Sequence, residues 1–160
     1  MIMLKMSKRT LSLVLALIMI CSTMGVMTFA AESEREFTRT ISFRAPIYNA
    51  NGYARYTDVS VVLSGGYSVT PDYYGWFNAP RVTYIPDDGE FLYTHRFSNN
   101  YATIYIDIKY RYEDSITGAI GVKNSYCLEA SITLDGTGAR TIRGKICDAS
   151  GNPSGNWIYF

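Results

Sequence analysis

Apolar and polar residues alternate along several short segments of this chain. The clearest segment is Tyr101 to Tyr112, where apolar and aromatic residues share one face and mostly polar residues share the other. The first face is Ile104, Ile106, Ile108, Tyr110 and Tyr112, and the second is Thr103, Tyr105, Asp107, Lys109 and Arg111. A period of two is typical of a strand with one buried face and one solvated face. The segment therefore predicts an amphipathic β-strand.

Other segments combine β-branched and aromatic residues and are separated by Gly, Pro, Asn and Asp, which predicts strands joined by turns. They are Phe37 to Arg44, Thr57 to Leu63, Arg81 to Ile85, Ser125 to Leu134, Arg140 to Cys147 and Asn156 to Phe160, with weaker candidates at Tyr67 to Val69 and Glu90 to Phe97. We find no amphipathic helix. Some seven to nine short strands predict an all-β fold, an antiparallel β-sandwich of immunoglobulin-like or jelly-roll-like form, with a small barrel as the alternative.

The first 30 residues follow a different pattern, in which basic residues precede an apolar run and small residues follow it. These are Lys5, Lys8 and Arg9, the run Leu11 to Ile20, and Thr28 and Ala30. The pattern predicts a secretory signal peptide at residues 1–30, removed after Ala30, because the apolar run is short for a membrane span. It resembles the export signals of Gram-positive bacteria, a resemblance confined to the removed segment. We expect one secreted domain at residues 31–160.

The charge of this domain excludes two classes of partner. The chain has 15 Lys and Arg and 14 Asp and Glu, of which three basic residues and no acids fall in residues 1–30, so 12 basic and 14 acidic residues leave a net charge of −2. A nearly neutral domain has no electrostatic footprint for nucleic acid or an anionic membrane. No later apolar run is long enough to span a bilayer. We expect neither nucleic acid nor a membrane as partner.

Two cysteines, Cys127 and Cys147, lie outside the predicted signal. If the apolar faces of their two strands both face the core, a three-residue loop at Gly136 to Gly138 pairs Leu128 with Ile146 and Cys127 with Cys147. In an exported protein this predicts a disulfide that stabilises the fold by about 3 kcal/mol. Two free thiols are the alternative. The spacing does not indicate a catalytic or metal-binding role.

The residue types that are most common in catalytic and metal sites form no catalytic pattern in this chain. His95 is the only histidine, which excludes zinc sites built on two or three imidazoles, and its surroundings are typical of a strand face. Asp87, Asp88 and Glu90 surround Gly89 as in a hairpin turn, and they lack the spacing of an EF-hand, although their binding of a metal stays open. We therefore predict no catalytic residue, no metal site and no cofactor.

One segment is a candidate ligand-binding site. Tyr73, Tyr74, Trp76 and Phe77 lie outside any alternating pattern between Pro71 and Pro80, which predicts a loop. Rings on a rigid loop can stack on sugar rings or anchor a protein. The alternative is that Trp76 and Phe77 close one end of the sandwich as core residues.

These observations predict a secreted, non-enzymatic binding module whose ligand is an extracellular carbohydrate or another component of the cell envelope. A secreted protein-interaction or bacteriocin-like factor is the alternative, with a sheet edge or the aromatic surface as its contact. A small hydrolase with scattered carboxylates is less favoured, since no spacing selects a pair of acids.

Overall fold

The structure of the protein, a computed structural model, describes residues 33–49, 51–85 and 90–160. Residues 35–160 form one compact unit. The predicted signal peptide, its cleavage after Ala30, and both Asp87 and Asp88 lie outside the described residues. The predictions that concern them stay predictions.

Nine strands and no helix occur in the described residues. They are β1 (Glu34–Tyr48), β2 (Ala54–Ser68), β3 (Gly75–Phe77), β4 (Arg81–Ile85), β5 (Phe91–Phe97), β6 (Thr103–Glu113), β7 (Ile120–Ile132), β8 (Arg140–Ile146) and β9 (Ile158–Tyr159). Every main predicted strand overlaps one of these, and the weaker candidate Glu90 to Phe97 is β5. The candidate Tyr67 to Val69 is the end of β2, and part of the predicted aromatic loop is β3.

The strands form two antiparallel sheets. In sheet A, β2 is central, with β1 on one side and β3 and β4 on the other, whereas sheet B has the order β5-β6-β7-β8-β9. The two sheets do not close into a barrel within the described part of the chain. The barrel alternative is therefore wrong, and the all-β antiparallel architecture is that of a sandwich.

The core lies between the inner strands of the two sheets. Alternate residues of β2 and β6 point into it, and each is at most 1% exposed: Val59, Val61 and Leu63 on β2, and Ile104, Ile106 and Ile108 on β6. Full burial of one such side chain stabilises a fold by about 1.5–3 kcal/mol. The alternation predicted for β6 is confirmed as far as Tyr110, which is also buried; Tyr112 is only half-buried.

A β-bulge on β7 links the two sheets. The pairing of β6 with β7 shifts between Ile108 and Lys109, which leaves Ser125 as an extra residue on β7. The Ser125 hydroxyl donates to the carbonyl of Pro46 in β1 (2.5 Å), and its own carbonyl accepts from the N–H of Cys147 (2.8 Å). This buried serine therefore connects β7 both to sheet A and to the end of β8.

The predicted register of β7 and β8 is wrong by two residues. Leu128 lies opposite Gly144 instead of Ile146, and Cys127 lies opposite Lys145. The same faces still point into the core, because a shift of two residues keeps the alternation. The apolar pattern alone could not distinguish the two registers.

The loop between β7 and β8 explains the difference. The N–H of Thr133 donates to the carbonyl of Ala139 (2.8 Å), which leaves five residues in the loop instead of three. Within it, the Asp135 carboxylate accepts hydrogen bonds from the N–H (2.9 Å) and hydroxyl (2.5 Å) of Thr137. Gly136 and Gly138 both adopt positive φ angles, of 79° and 64°. This Asp-centred turn fixes the longer loop and hence the register.

The predicted C-terminal strand is confirmed as β9. The N–H of Phe160 donates to the carbonyl of Ile142 (3.0 Å), just beyond the paired residues of β9. The ring of Trp157 lies 4.3 Å from the guanidinium carbon of Arg143 and 4.9 Å from Nζ of Lys145. Two cations of β8 therefore hold the last residues against the outer face of sheet B.

A substitution at Gly144 tests the observed register of β7 and β8. A Cβ atom there would lie 2.3 Å from Cε1 of Tyr126, whose buried ring also stacks on Phe43 at 4.1 Å. We expect Gly144→Ala to destabilise the protein by about 1–3 kcal/mol, measured by chemical denaturation. Thr141→Ala, exposed on the same strand, is the control and should change stability by less than about 0.5 kcal/mol. Equal stability of the two variants would contradict the register.

Candidate ligand-binding surface

A row of aromatic side chains follows edge strand β5. Alternate residues of β5 carry rings and lie opposite core residues of β6, for example Phe97 opposite Ile104, so they share the inner face of sheet B. Edge strand β4 of sheet A and the turn after β5 extend the row at its two ends. The row consists of Tyr84, Phe91, Tyr93, His95, Phe97 and Tyr101, and we refer to it as the aromatic row. Because β5 has a sheet neighbour on one side only, these rings cover the margin of the core and stay partly exposed.

Ring contacts join the members of the aromatic row in two groups, Tyr84 with Phe91, and Tyr93 through His95 and Phe97 to Tyr101. The ring centroids are 5.0 Å apart for Tyr84 and Phe91, with planes 21° apart. They are 6.2 Å apart for Tyr93 and His95, with planes 26° apart. Phe97 lies 5.4 Å from His95, edge-on at 77°, and 5.6 Å from the ring of Tyr101. These separations fall in the range of favourable aromatic pairs, so within each group a ring restricts its neighbour.

Contacts between the sheets fix part of the aromatic row. The Tyr93 hydroxyl donates to the carbonyl of Pro80, just before β4, at 3.1 Å. Beside this bond, an open depression of about 500 Å³ is lined by residues 82–84 and 91–93. A second depression, of about 470 Å³, is lined at the other end by Phe97, Ser98, Asn99 and Tyr101. The row is thus a partly preorganised surface with a shallow depression at each end.

Tyr101 occupies a strained position in the turn after β5. Its φ angle is 59°, in the left-handed region that a bulky residue rarely adopts. The turn is held by an N–H of Thr103 donating to the Ser98 hydroxyl (3.1 Å) and by the Tyr101 carbonyl, which accepts from Phe77 N–H (3.1 Å). Although glycine would fit this position without strain, the turn holds a tyrosine ring that is 57% exposed. Strain of this kind is concentrated at functional sites.

The charged residue of β5, Arg96, belongs to the opposite face of sheet B, and Glu90, just before β5, forms an ion pair with Arg55 of β2. Arg96 lies over the ring of Tyr105 at 3.9 Å, and Arg143 contacts both carboxylate oxygens of Glu129 at 2.9 and 3.1 Å. β5 itself contains no carboxylate. His95 supplies the one imidazole in a row made otherwise of phenyl and phenol rings.

The structure divides the predicted aromatic loop residues between surface and core. Tyr73 and Tyr74 are exposed, and the Tyr74 ring lies 6.0 Å from that of Trp76 at 24°. Trp76 is half-buried, with its ring over Gly66. Phe77 is buried in the core, 5.6 Å from Phe37 and edge-on to it. As a ligand-binding surface, this segment therefore offers Tyr73 and the pair of Tyr74 and Trp76.

The predicted disulfide is not present, because Cys127 and Cys147 are free thiols. In the observed register Cys147 is opposite Ser125, diagonal to Cys127, and the two sulfur atoms are 3.5 Å apart, whereas a disulfide needs about 2.05 Å. The two thiols share a hydrogen bond, which together with burial raises the pKa of Cys127. The same hydrogen bond lowers the pKa of Cys147, which is itself fully buried.

No metal site emerges from the described residues, in which no group of three or more His, Cys, Asp or Glu side chains is placed to hold an ion. Glu90 forms an ion pair with Arg55. His95 lies on a strand face between Tyr93 and Phe97, as its sequence context predicted. The described part of the chain also has no helix that is both long enough and apolar enough to cross a membrane.

Comparisons with known proteins give no assignment: no family model matches the chain, and no curated protein or solved structure matches it.

Sequence reasoning missed the aromatic row, although part of its signal was present. Rings occupy every second position from Phe91 to Phe97, which on a strand places them on one face. The sequence does not show that this strand lies at a sheet edge. It also does not show that Tyr84 and Tyr101 lie at the two ends of the row. Both depend on the order of the strands.

The thiol pair gives a second test. We expect N-ethylmaleimide to label both Cys127 and Cys147 in denatured, unreduced protein, and to label them slowly in the native protein. Cys147 is buried and Cys127 has a raised pKa, so neither presents an accessible thiolate. Mass spectrometry of the labelled peptides measures this. Peptides joined through the two cysteines without reductant would contradict the free-thiol assignment.

Proposed function

We propose that this protein is an exported, non-enzymatic module that binds a neutral extracellular or cell-envelope polysaccharide through the aromatic row. The observation that carries the proposal is the arrangement of six rings along one edge of the sandwich, partly exposed and fixed by their neighbours. Preorganised rings bind at a low entropic cost, because little side-chain freedom is lost on contact.

The chemistry of the aromatic row supports a sugar ligand. The C–H faces of pyranose rings pack on aromatic surfaces, and their hydroxyl groups need hydrogen-bonding partners at the margin. The phenol groups of Tyr93 and Tyr101, the imidazole of His95 and the amide of Asn99 are such partners. An elongated row suits a chain of sugars better than a single one. The lack of carboxylates on β5 and the outward position of Arg96 favour an uncharged chain.

The strained conformation of Tyr101 also supports this proposal. A left-handed conformation costs a non-glycine residue roughly 1–2 kcal/mol. Since the ring is largely exposed, the fold gains little from its burial. A contact with a ligand explains why an aromatic residue occupies this position.

A second candidate function, binding of a protein partner, is favoured by the tip of the β6–β7 hairpin. Ile116 at this tip is 93% exposed, and Ile120 and Val122 are exposed beside it. The Asp114 carboxylate accepts from the N–H groups of Ile116 (3.0 Å) and Thr117 (2.8 Å), which fixes the tip. These hydrogen bonds also lower the pKa of Asp114. A rigid loop that displays an apolar residue is typical of an anchor for a partner.

The polysaccharide proposal predicts the effect of removing one ring. We expect the parent protein to bind at least one of insoluble cellulose, chitin and purified cell wall in a pull-down. Tyr93→Ala should weaken that binding roughly two- to tenfold, because this is the contribution of one aromatic contact. Tyr93→Phe, which keeps the ring and loses the bond to Pro80, should bind more tightly than Tyr93→Ala. Raising the salt concentration should change binding little, because the ligand is neutral.

Two controls locate the surface. Tyr53→Ala removes a ring that is 75% exposed near the β1–β2 turn and should leave binding unchanged. Trp76→Ala tests the predicted aromatic loop. If only Trp76→Ala weakens binding, the pair of Tyr74 and Trp76 is the site and the aromatic row is not. A parent protein that binds none of the three materials contradicts the polysaccharide proposal and favours the hairpin tip.

Tyr101 allows binding to be separated from stability. We expect Tyr101→Gly to weaken binding roughly two- to tenfold while its stability stays within about 1 kcal/mol of the parent, because relief of strain offsets the lost ring contact and the greater freedom of the unfolded chain. Tyr101→Ala keeps the strain and loses the ring, so it should melt at a lower temperature than Tyr101→Gly. Unchanged binding in both variants would exclude Tyr101 from the surface.

A further inference from the structure

The free edge of β5 has a defined set of backbone groups. The N–H of Arg111 donates to the carbonyl of Glu90, and the N–H of Ser98 donates to the carbonyl of Thr103, both at 2.8 Å. In an antiparallel pair such residues alternate with residues whose groups point the other way. The even residues from 90 to 98 therefore bond to β6. Phe91, Tyr93, His95 and Phe97 direct their N–H and C=O groups away from it, and no strand in the described residues pairs with this edge.

The other edge strands of the described residues carry features that hinder pairing with another chain. β3 and β9 have only three and two residues. β4 has five residues and directly follows Pro80. β1 is long but contains Pro46 and several charges, namely Glu34, Arg35, Glu36, Arg39 and Arg44. Short length, proline and charge are the usual means of protecting a sheet edge.

β5 has none of these protections along most of its length. It has seven residues, no proline, no glycine and no bulge in its pairing with β6, and Arg96 is its only permanent charge. Exposed regular edges of this kind form new sheet pairs. The contrast with the other edges makes β5 the edge most open to pairing with another strand.

We propose that two copies of this protein form a two-fold symmetric dimer by antiparallel pairing of β5 with β5 of the second copy. Sheet B then continues across the interface. A two-fold axis needs a surface that is complementary to itself. The sequence of β5 meets this requirement when the axis passes through Thr94.

With the axis at Thr94, the whole of β5 overlaps its copy. Phe91 then lies opposite Phe97, and Tyr93 opposite His95, so the residues with free backbone groups face one another. Arg96 lies opposite Leu92, which avoids placing two like charges side by side. An axis at Arg96 would oppose two arginines and shorten the overlap.

The dimer would place two aromatic rows side by side on one continuous sheet. It rests on backbone geometry and does not depend on polysaccharide binding. If that binding holds, two joined rows raise the affinity for a long chain through effective concentration. If polysaccharide binding fails, the dimer can still be tested by measuring the molecular mass of the protein in solution.

The experiment compares two substitutions of one residue in the mature protein. His95→Pro removes an N–H that points to the free edge, while the bonds of β5 to β6 use the even residues. His95→Ala removes the imidazole and keeps the N–H. By sedimentation equilibrium we expect the parent and His95→Ala to be dimers, with dissociation constants within about tenfold of each other. We expect His95→Pro to be a folded monomer.

A second measurement keeps the test valid if His95→Pro does not fold. Hydrogen exchange of the parent should show the amides of Tyr93 and His95 becoming protected as the concentration rises, with Thr94 protected throughout. A parent that stays monomeric up to millimolar concentration overturns the proposal. A dimer in which these two amides exchange freely, or a folded His95→Pro that stays dimeric, also overturns it.

Discussion

The packing of β2 against β6 is the interaction on which the rest of the structure depends. Six aliphatic side chains of these two strands are almost wholly buried, and they hold the centres of the two sheets together. The strands further out can therefore be short or only partly covered. β3 and β4 each pair with one part of β2, and β9 consists of two residues. Because these two strands and β7 together supply most of the apolar burial, the margins can carry side chains that serve other purposes.

The two faces of sheet B differ in the way their side chains are used. On the outer face, cations contact rings and carboxylates across neighbouring strands, as Arg96 does with Tyr105 and Arg143 with Glu129. These charged side chains already have partners within the sheet. At the inner margin, the aromatic row contacts the core on one side and remains open on the other. Its phenol and imidazole groups can bond to a ligand, and its ring faces can pack against one.

Two neighbouring features of β5 favour association in different ways. The side chains of its odd residues form the aromatic row, and the backbone groups of the same residues point to the free edge. A strand at the edge of a sandwich is the one place where both are accessible together, since a central strand has both edges paired. The strained turn at Tyr101 extends the row at one end. Under the proposed function, this turn accepts backbone strain to keep a ring at the edge that a glycine would not supply.

The sequence by itself determined the fold class and the position of nearly every strand, because a period of two follows from local geometry and from the need to bury one face. It also determined which face of β6 is buried and that His95 belongs to a strand.

The sequence did not determine the register of β7 and β8, since registers that differ by two residues bury the same faces, and the Asp135 turn selected between them. The distance between the two sulfur atoms follows from that register. Only the tertiary structure placed Phe77 in the core and joined Tyr84, β5 and Tyr101 into one row, because strand order and sheet edges depend on contacts between residues that are distant in the chain.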